Sequence, residues 1–375
     1  MISFKPSEDE QAFITVAREF AKDVIRTNAR EFEKAGAITP GFLHSFHELG
    51  FTLLELPESW GGLEMQLISQ VQILEALTHG DLDVVQAMPG MNEAPSLIRQ
   101  IPNHKALLPI KACYQKGELP TIAFVHDIDL SVKSNSIGFV VNGITKPNKL
   151  ASTADLLIIA AKDENGQDCI FVTTNLEENW SVSKGDYRLG LLTAGFARIE
   201  FENLVVSNEN VLSKGDEAKK IINETIGRTR ILEAAKEIGL MSAALSYATQ
   251  YASERKAFGS VIAKFQGVSF TLAQMAIKKQ VSRNLTLYAA TAFDEHLSDR
   301  FTLSKNCLSS SHRSLQFVTD SAVQLLGGHG YVQEHPVEKW MRDAQAQVIY
   351  HDTERDLLQL SGDEIVEGSD SYRFV

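Results

Sequence analysis

Three cysteines spread over 375 residues, Cys113, Cys169 and Cys307, are too few and too far apart for a disulfide framework or a zinc-ligand spacing. They read as reduced thiols of a cytoplasmic protein, and no metal is expected. Long hydrophobic runs are missing too. The most apolar stretch, ADLLIIAA from Ala154 to Ala161, is far short of the about 20 residues that span a bilayer. The opening MISFKPSEDEQ has no apolar segment behind its lysine, so no signal peptide is read there. Basic residues are outnumbered, 36 against 48 acidic, for a net charge of −12. That balance speaks against a life on nucleic acid or on anionic membrane, both of which select a basic face. Internal repeats and low-complexity tracts are absent as well.

What is present suits a globular enzyme of two or three closely packed domains, with 44% hydrophobic and 22% charged residues. The first helix opens on a capping box, Ser7 with Glu10. Behind it Phe13, Val16 and Phe20 recur at helical spacing and predict a buried stripe. Gly50 and Gly117 mark helix ends, PESWGG at 57–62 a turn cluster, and 70–79 and 103–118 further helices. Residues 1–118 are therefore expected to be all-α.

From Leu119 the period shortens. TIAFVH, IGFVVNGI, ADLLIIAAK, DCIFVTT, WSVSKG and ARIEFENLVV are β-rich runs between polar turns, with Asn142-Gly143 a turn signal inside the second. Residues 119–214 are expected to form a small antiparallel barrel or sandwich. In 215–375 the seam Ile231, Ala234, Ile238, Met241, Leu245 and Ala248 alternates by three and four, as in a helical bundle. Helices are also expected around Val268 to Ala292, over 304–326 and over 336–360.

Two stretches carry chemistry. In YASERKAFGSVIAKFQ, 251–266, Arg255 stands at a helix end where a guanidinium can fork onto a phosphate. Phe258 offers an apolar face and Gln266 an amide. In QLLGGHGYVQEHPVEKWMRDAQAQVIYHDT, 324–353, Gly327 and Gly328 let backbone approach a diphosphate, with Gln324 a turn earlier. Each feature alone has a plainer reading, as solvated charge, core ring or helix stop. Together the two stretches closely resemble the acyl-CoA dehydrogenase family, and the order α domain, β domain, four-helix bundle extends the likeness over nearly the whole chain.

The resemblance implies an FAD-dependent α,β-dehydrogenase of an acyl thioester, such as an acyl-CoA, working as a dimer or tetramer. Arg255, Gln324, Gly327 and Gly328 would hold the pyrophosphate side of a neighbouring subunit's FAD, Phe258 and Gln266 its adenosine half, and Thr353 would also contact the cofactor. It also implies a glutamate base at the end of the second stretch, in IYEGT. Here that place reads IYHDT, putting His351 and Asp352 at the base position. An imidazole can accept a proton at neutral pH but differs in reach, and an isolated His-Asp pair is more often a polar surface or interface feature. Thr229 and Arg230 stand where some members carry an alternative glutamate and its arginine. Arg230 matches as a substrate contact, Thr229 brings no carboxylate, and Glu233 reads as a surface charge.

The β domain departs further. The family's TEPGAGSD-like loop corresponds to VHDIDLSV, 125–132, with His126 and Asp127 in place of threonine and glutamate. Its W-x-T-N stretch, which backs and touches the flavin ring, corresponds to Pro147, Asn148, Lys149 and Leu150. The ring side is degraded and the pyrophosphate side intact. The specific expectation is a base-lacking subunit of a hetero-oligomer, an arrangement known in the family. Two alternatives stay open: a self-sufficient homotetramer using His351 or Asp352 as base, and a flavin-free scaffold or regulator.

Overall fold

The computed structural model describes residues 6–174, 180–183, 187–350 and 352–368. Among the described residues seven α-helices come first: α1 (Glu8–Phe20), α2 (Arg26–Ala35), α3 (Pro40–Glu48), α4 (Leu67–Thr78), α5 (Leu82–Gln86), α6 (Glu93–Ile98) and α7 (Leu108–Gln115), with a π-helical turn, Ala21–Ile25, joining α1 to α2. The Ser7–Glu10 capping box forms as expected: Glu10 N donates to Ser7 Oγ at 3.3 Å and Ser7 N to Glu10 Oε2 at 2.7 Å. The stripe behind it is displaced. Ile14, Ala17 and Phe20 are buried, whereas Phe13 is half-buried and Val16 exposed. Phe20 is buried as expected, while the other two expected positions give way to their neighbours Ile14 and Ala17.

Eight strands follow among the described residues: β1 (Ile122–His126), β2 (Ser131–Ser134), β3 (Gly138–Ile144), β4 (Leu156–Lys162), β5 (Asp168–Thr174), β6 (Trp180–Ser183), β7 (Arg198–Ser207) and β8 (Val211–Lys214). They make two four-stranded sheets, in the orders β1-β4-β5-β8 and β2-β3-β7-β6. The sandwich is not wholly antiparallel, since β1 pairs parallel with β4. Asn142-Gly143 is not a turn either. It lies within β3 at a register shift against β7, where Gly143 takes φ 129°, an irregularity that glycine accommodates. The continuous run of β4 follows from burial on both faces. Leu157 and Ile159 meet the opposing sheet, while Ile158 and Ala160 pack on a helical layer with Ile221 and Ile222.

The helical C-terminal region begins with α8 (Asp216–Glu254) and continues, after the short hairpin β9 (Lys256–Ala257) and β10 (Ser260–Val261), with α9 (Gln266–Asp294), α10 (Arg300–Leu326), α11 (Val337–Tyr350) and α12 (Glu354–Val366). The single helix expected over 336–360 is broken, because Thr353 caps α12 through a box with Asp356. At 39 residues, α8 runs about 58 Å and touches every layer. Gly239 lets α4 come close, since a Cβ there would stand 1.9 Å from Thr78 Oγ1. Arg228 on α8 makes a buried two-point contact with Glu55, at 2.6 and 2.8 Å, tying the first helices to the bundle. Among the described residues no helix is long and apolar enough to cross a membrane.

Candidate functional site

The expected site residues fall into two groups at different places. The first group lies at the end of α8 and the start of α9. Arg255 caps α8 in extended conformation and its carbonyl accepts from Ile262 N at 2.9 Å, closing the β9–β10 hairpin. Phe258 sits at the hairpin tip with φ 50° and is 97% exposed, so it is not a core ring. Gln266, Gln324, Gly327 and Gly328 are exposed too. A Cβ added at either glycine would meet nothing within 4 Å, and Gly327 takes φ +59°. Tyr251, one turn before Arg255, bonds to the Leu326 carbonyl at 3.4 Å and to His329 Nδ1 at 2.9 Å. That pins the glycine turn against the end of α8. The result is an open surface with a guanidinium, an aromatic ring, amides and exposed backbone, which nothing among the described residues covers.

The second group lies where the β sandwich meets α8 and α11. A cavity of about 160 Å³ there is lined by His126, Asn148, Thr229, Arg230, Tyr350 and Asp352 among others. That is about half the low end of the roughly 300–1,000 Å³ of small-molecule pockets. Arg230 does not point freely into it. Its Nε donates to Asp352 Oδ2 at 2.6 Å. Asp352 is thus an ion-pair partner of Arg230 with its side chain about one-third exposed, and its backbone carbonyl is held by His312 Nε2 at 3.0 Å. Thr229 spends its hydroxyl on the Thr225 carbonyl, 2.9 Å away. His351 lies outside the described residues. Thr353 is engaged as a helix cap.

Beside this cavity is a cluster that the sequence did not suggest. Glu233, expected at the surface, is 1% exposed. Its Oε1 accepts from Lys149 Nζ at 3.1 Å and from Lys236 Nζ at 2.7 Å. Its Oε2 accepts from Gln347 Nε2 at 2.9 Å and from Gln86 Nε2. Both ammonium groups also donate to Gln86 Oε1, at 2.7 and 3.0 Å, and to the Met91 carbonyl, at 2.8 and 2.6 Å. Burial, together with the neighbouring Lys149 and against the pull of Glu233, brings the Lys236 ammonium down to about 8. Tyr350 meanwhile stacks on Phe196, with ring centroids 4.2 Å apart. Asp127, which stands in place of the family loop's glutamate, is buried and accepts from the backbone N–H groups of Asp129 and Lys146, both at 3.0 Å.

Only the Lys149 half of this constellation was within reach of the sequence, through its place in a motif. Gln86, Glu233, Lys236 and Gln347 come from three helices and carry no local signal. Around Lys149 the residues do not suit a flavin ring: the buried ion pairs of Lys149 and Lys236 with Glu233 take up the 147–150 side, and the cavity left beside them holds only about 160 Å³. Around Arg255 they do fit a diphosphate.

A helical layer, a two-sheet sandwich and a bundle, joined at a cleft, define an acyl-CoA dehydrogenase-like fold. Models of that family's N-terminal and C-terminal domains match residues 7–100 and 219–355. The chain is 27% identical over 368 residues to a "Probable medium-chain specific acyl-CoA dehydrogenase 2, mitochondrial" of Caenorhabditis briggsae, covering 94% of this chain and 89% of that one. It is 27% identical to an acyl-CoA dehydrogenase of Bacillus subtilis (strain 168), covering 90% and 93%. The butyryl-CoA dehydrogenase structure from Megasphaera elsdenii superposes with a TM-score of 0.84 at 24% identity, over 97% of this chain and all of that one. The chain belongs to the acyl-CoA dehydrogenase family of FAD-dependent oxidoreductases.

Proposed function

We propose that this chain is the base-lacking subunit of a hetero-oligomeric acyl-CoA dehydrogenase, completing the FAD site of a partner that oxidises an acyl thioester. The observation that carries the proposal is the buried Lys149–Glu233–Lys236 cluster, because the resemblance matches the 147–150 segment to the stretch that would back a flavin ring. The exposed Arg255, Phe258, Gln266 and Gly327–Gly328 surface supports the other half of the reading. A partner's FAD would rest its pyrophosphate on that surface, where arginine's paired donors match phosphate oxygens.

The self-sufficient reading draws less support. Asp352 is already paired with Arg230, and the cavity beside it is small and mostly polar, unlike a slot for an acyl chain. Co-expression with a second acyl-CoA dehydrogenase chain that keeps its glutamate base tests the proposal. The two chains should co-purify, with thioester oxidation in the complex and none in this chain alone. Oxidation by this chain alone would refute it.

A further inference from the structure

A second cavity, of about 390 Å³, opens among α1, α4, α8 and α9, lined by Arg18, Lys22, Gln72, Glu75, Ala76, His79, Ser242 and Arg283. Ser242 is 12 residues beyond Arg230 on α8, about 18 Å along the helix axis, so this is a separate site from the one described above. Its charge runs against that of the molecule. In a chain of net charge −12, three permanent cations line one cavity against a single carboxylate, Glu75. Arg18 on α1 and Lys22 on its π-helical continuation, Ala21–Ile25, stand about one turn apart, a spacing at which like charges repel. Among the described residues neither has an ion-pair partner. Glu19 and Asp23, on the same helix, do not line the cavity.

Arg283 is held by Glu75, but only through Nε, at 2.7 and 3.0 Å. Among the described residues its two terminal amino groups have no partner, so the salt bridge orients the guanidinium while leaving its outer donors open. His79 adds an imidazole that burial and the nearby Arg26 and Arg18 push below its ordinary pKa. It is thus neutral and able to donate from one ring nitrogen. Gln72 and Ser242 supply neutral hydrogen-bonding groups, and Ala76 a small apolar floor.

Converging open donors with a surplus of two positive charges suit a ligand group that is dianionic and rich in oxygens. Arginine forks and a lysine point charge are the usual phosphate ligands. The volume lies within the roughly 300–1,000 Å³ of small-molecule pockets and exceeds what one phosphate needs. We propose that this cleft binds a phosphate-bearing small molecule, its phosphate held by Arg18, Lys22 and Arg283.

The test is isothermal titration of the full-length chain with pyrophosphate, ADP and citrate at about 150 mM salt, where exposed charges are screened. Pyrophosphate or ADP should bind with a Kd below about 1 mM. Arg18→Gln and Lys22→Gln, both at exposed side chains, should each weaken binding by about tenfold, as should Arg283→Gln, because charge-assisted bonds are lost. Tighter binding of ADP would assign the source to a nucleotide, and equal binding to the phosphate itself. No binding of either ligand, binding unchanged in Arg18→Gln and Lys22→Gln, or citrate binding as tightly as pyrophosphate would each overturn the proposal.

Discussion

The two faces that a flavin would need are built on opposite principles in this chain. Around Arg255 the groups are exposed, with no side-chain hydrogen-bond partner for Arg255 or Gln266 among the described residues, and the Gly327–Gly328 backbone has open space in front of it. Around Lys149 the groups are buried and fully engaged, with two ammonium groups sharing the acceptors of Gln86, Met91 and Glu233. A binding surface must keep donors free until its ligand arrives. A buried ionic cluster must not, because an unpaired charge in the interior is very costly. On the proposed function, the contrast would separate a surface kept for another molecule from a site the chain has filled with its own side chains.

The sharpest way to break the contrast is to remove the carboxylate at the centre of the cluster. Glu233→Ala leaves two buried ammonium groups facing each other and should destabilise the fold by about 3–5 kcal/mol, read as a fall in the urea midpoint. A change under about 0.5 kcal/mol, the usual range for surface substitutions, would mean that Glu233 is solvated after all. Arg255→Ala should do the reverse. It should leave the urea midpoint unchanged yet weaken flavin retention in the assembled complex by about 10–100-fold, the equivalent of the about 1.5–3 kcal/mol of a charge-assisted contact.

A third test concerns pH. Burial alone would lower the His312 imidazole, but Glu237 Oε1 at 2.8 Å reverses this and the pKa is raised. A raised histidine stabilises the fold fully below its unfolded value of about 6.5 and loses that contribution as pH rises through the folded value. Urea midpoints measured from pH 6 to 9 (about the span that matters) should therefore fall with pH, and His312→Gln should flatten the slope. The smallest effect is expected at His351. If the partner supplies the base, His351→Ala should leave activity of the complex within a few-fold, since a true general base contributes about 10²–10⁴-fold.

How much was legible in the sequence depended on the distance between interacting residues. Ser7 and Glu10 are three residues apart, and their capping box formed as read. The glycine stop at Gly117 and the glycine turn after Leu326 are equally local. Lys149 and Glu233 are 84 residues apart, and Gln86 and Glu233 are 147 apart. No spacing rule reaches that far, so Glu233 looked like an ordinary charge one turn beyond Arg230. The parallel β1–β4 pairing was hidden for the same reason: strand composition reports burial, not the direction of the neighbour. Phe13 and Val16 show a third limit, since a period locates a helix face only to within about one position.

The central claim is that this chain lends half a flavin site and owns no whole one, and flavin stoichiometry tests it most directly. Purified alone, the protein should be nearly colourless, with little absorbance near 450 nm (about the flavin maximum), because a protein site without its ring pocket keeps only part of the contacts that hold the cofactor. Purified with its partner, it should carry one flavin per pair of chains. One flavin per chain in the protein purified alone, retained through gel filtration, would contradict the account.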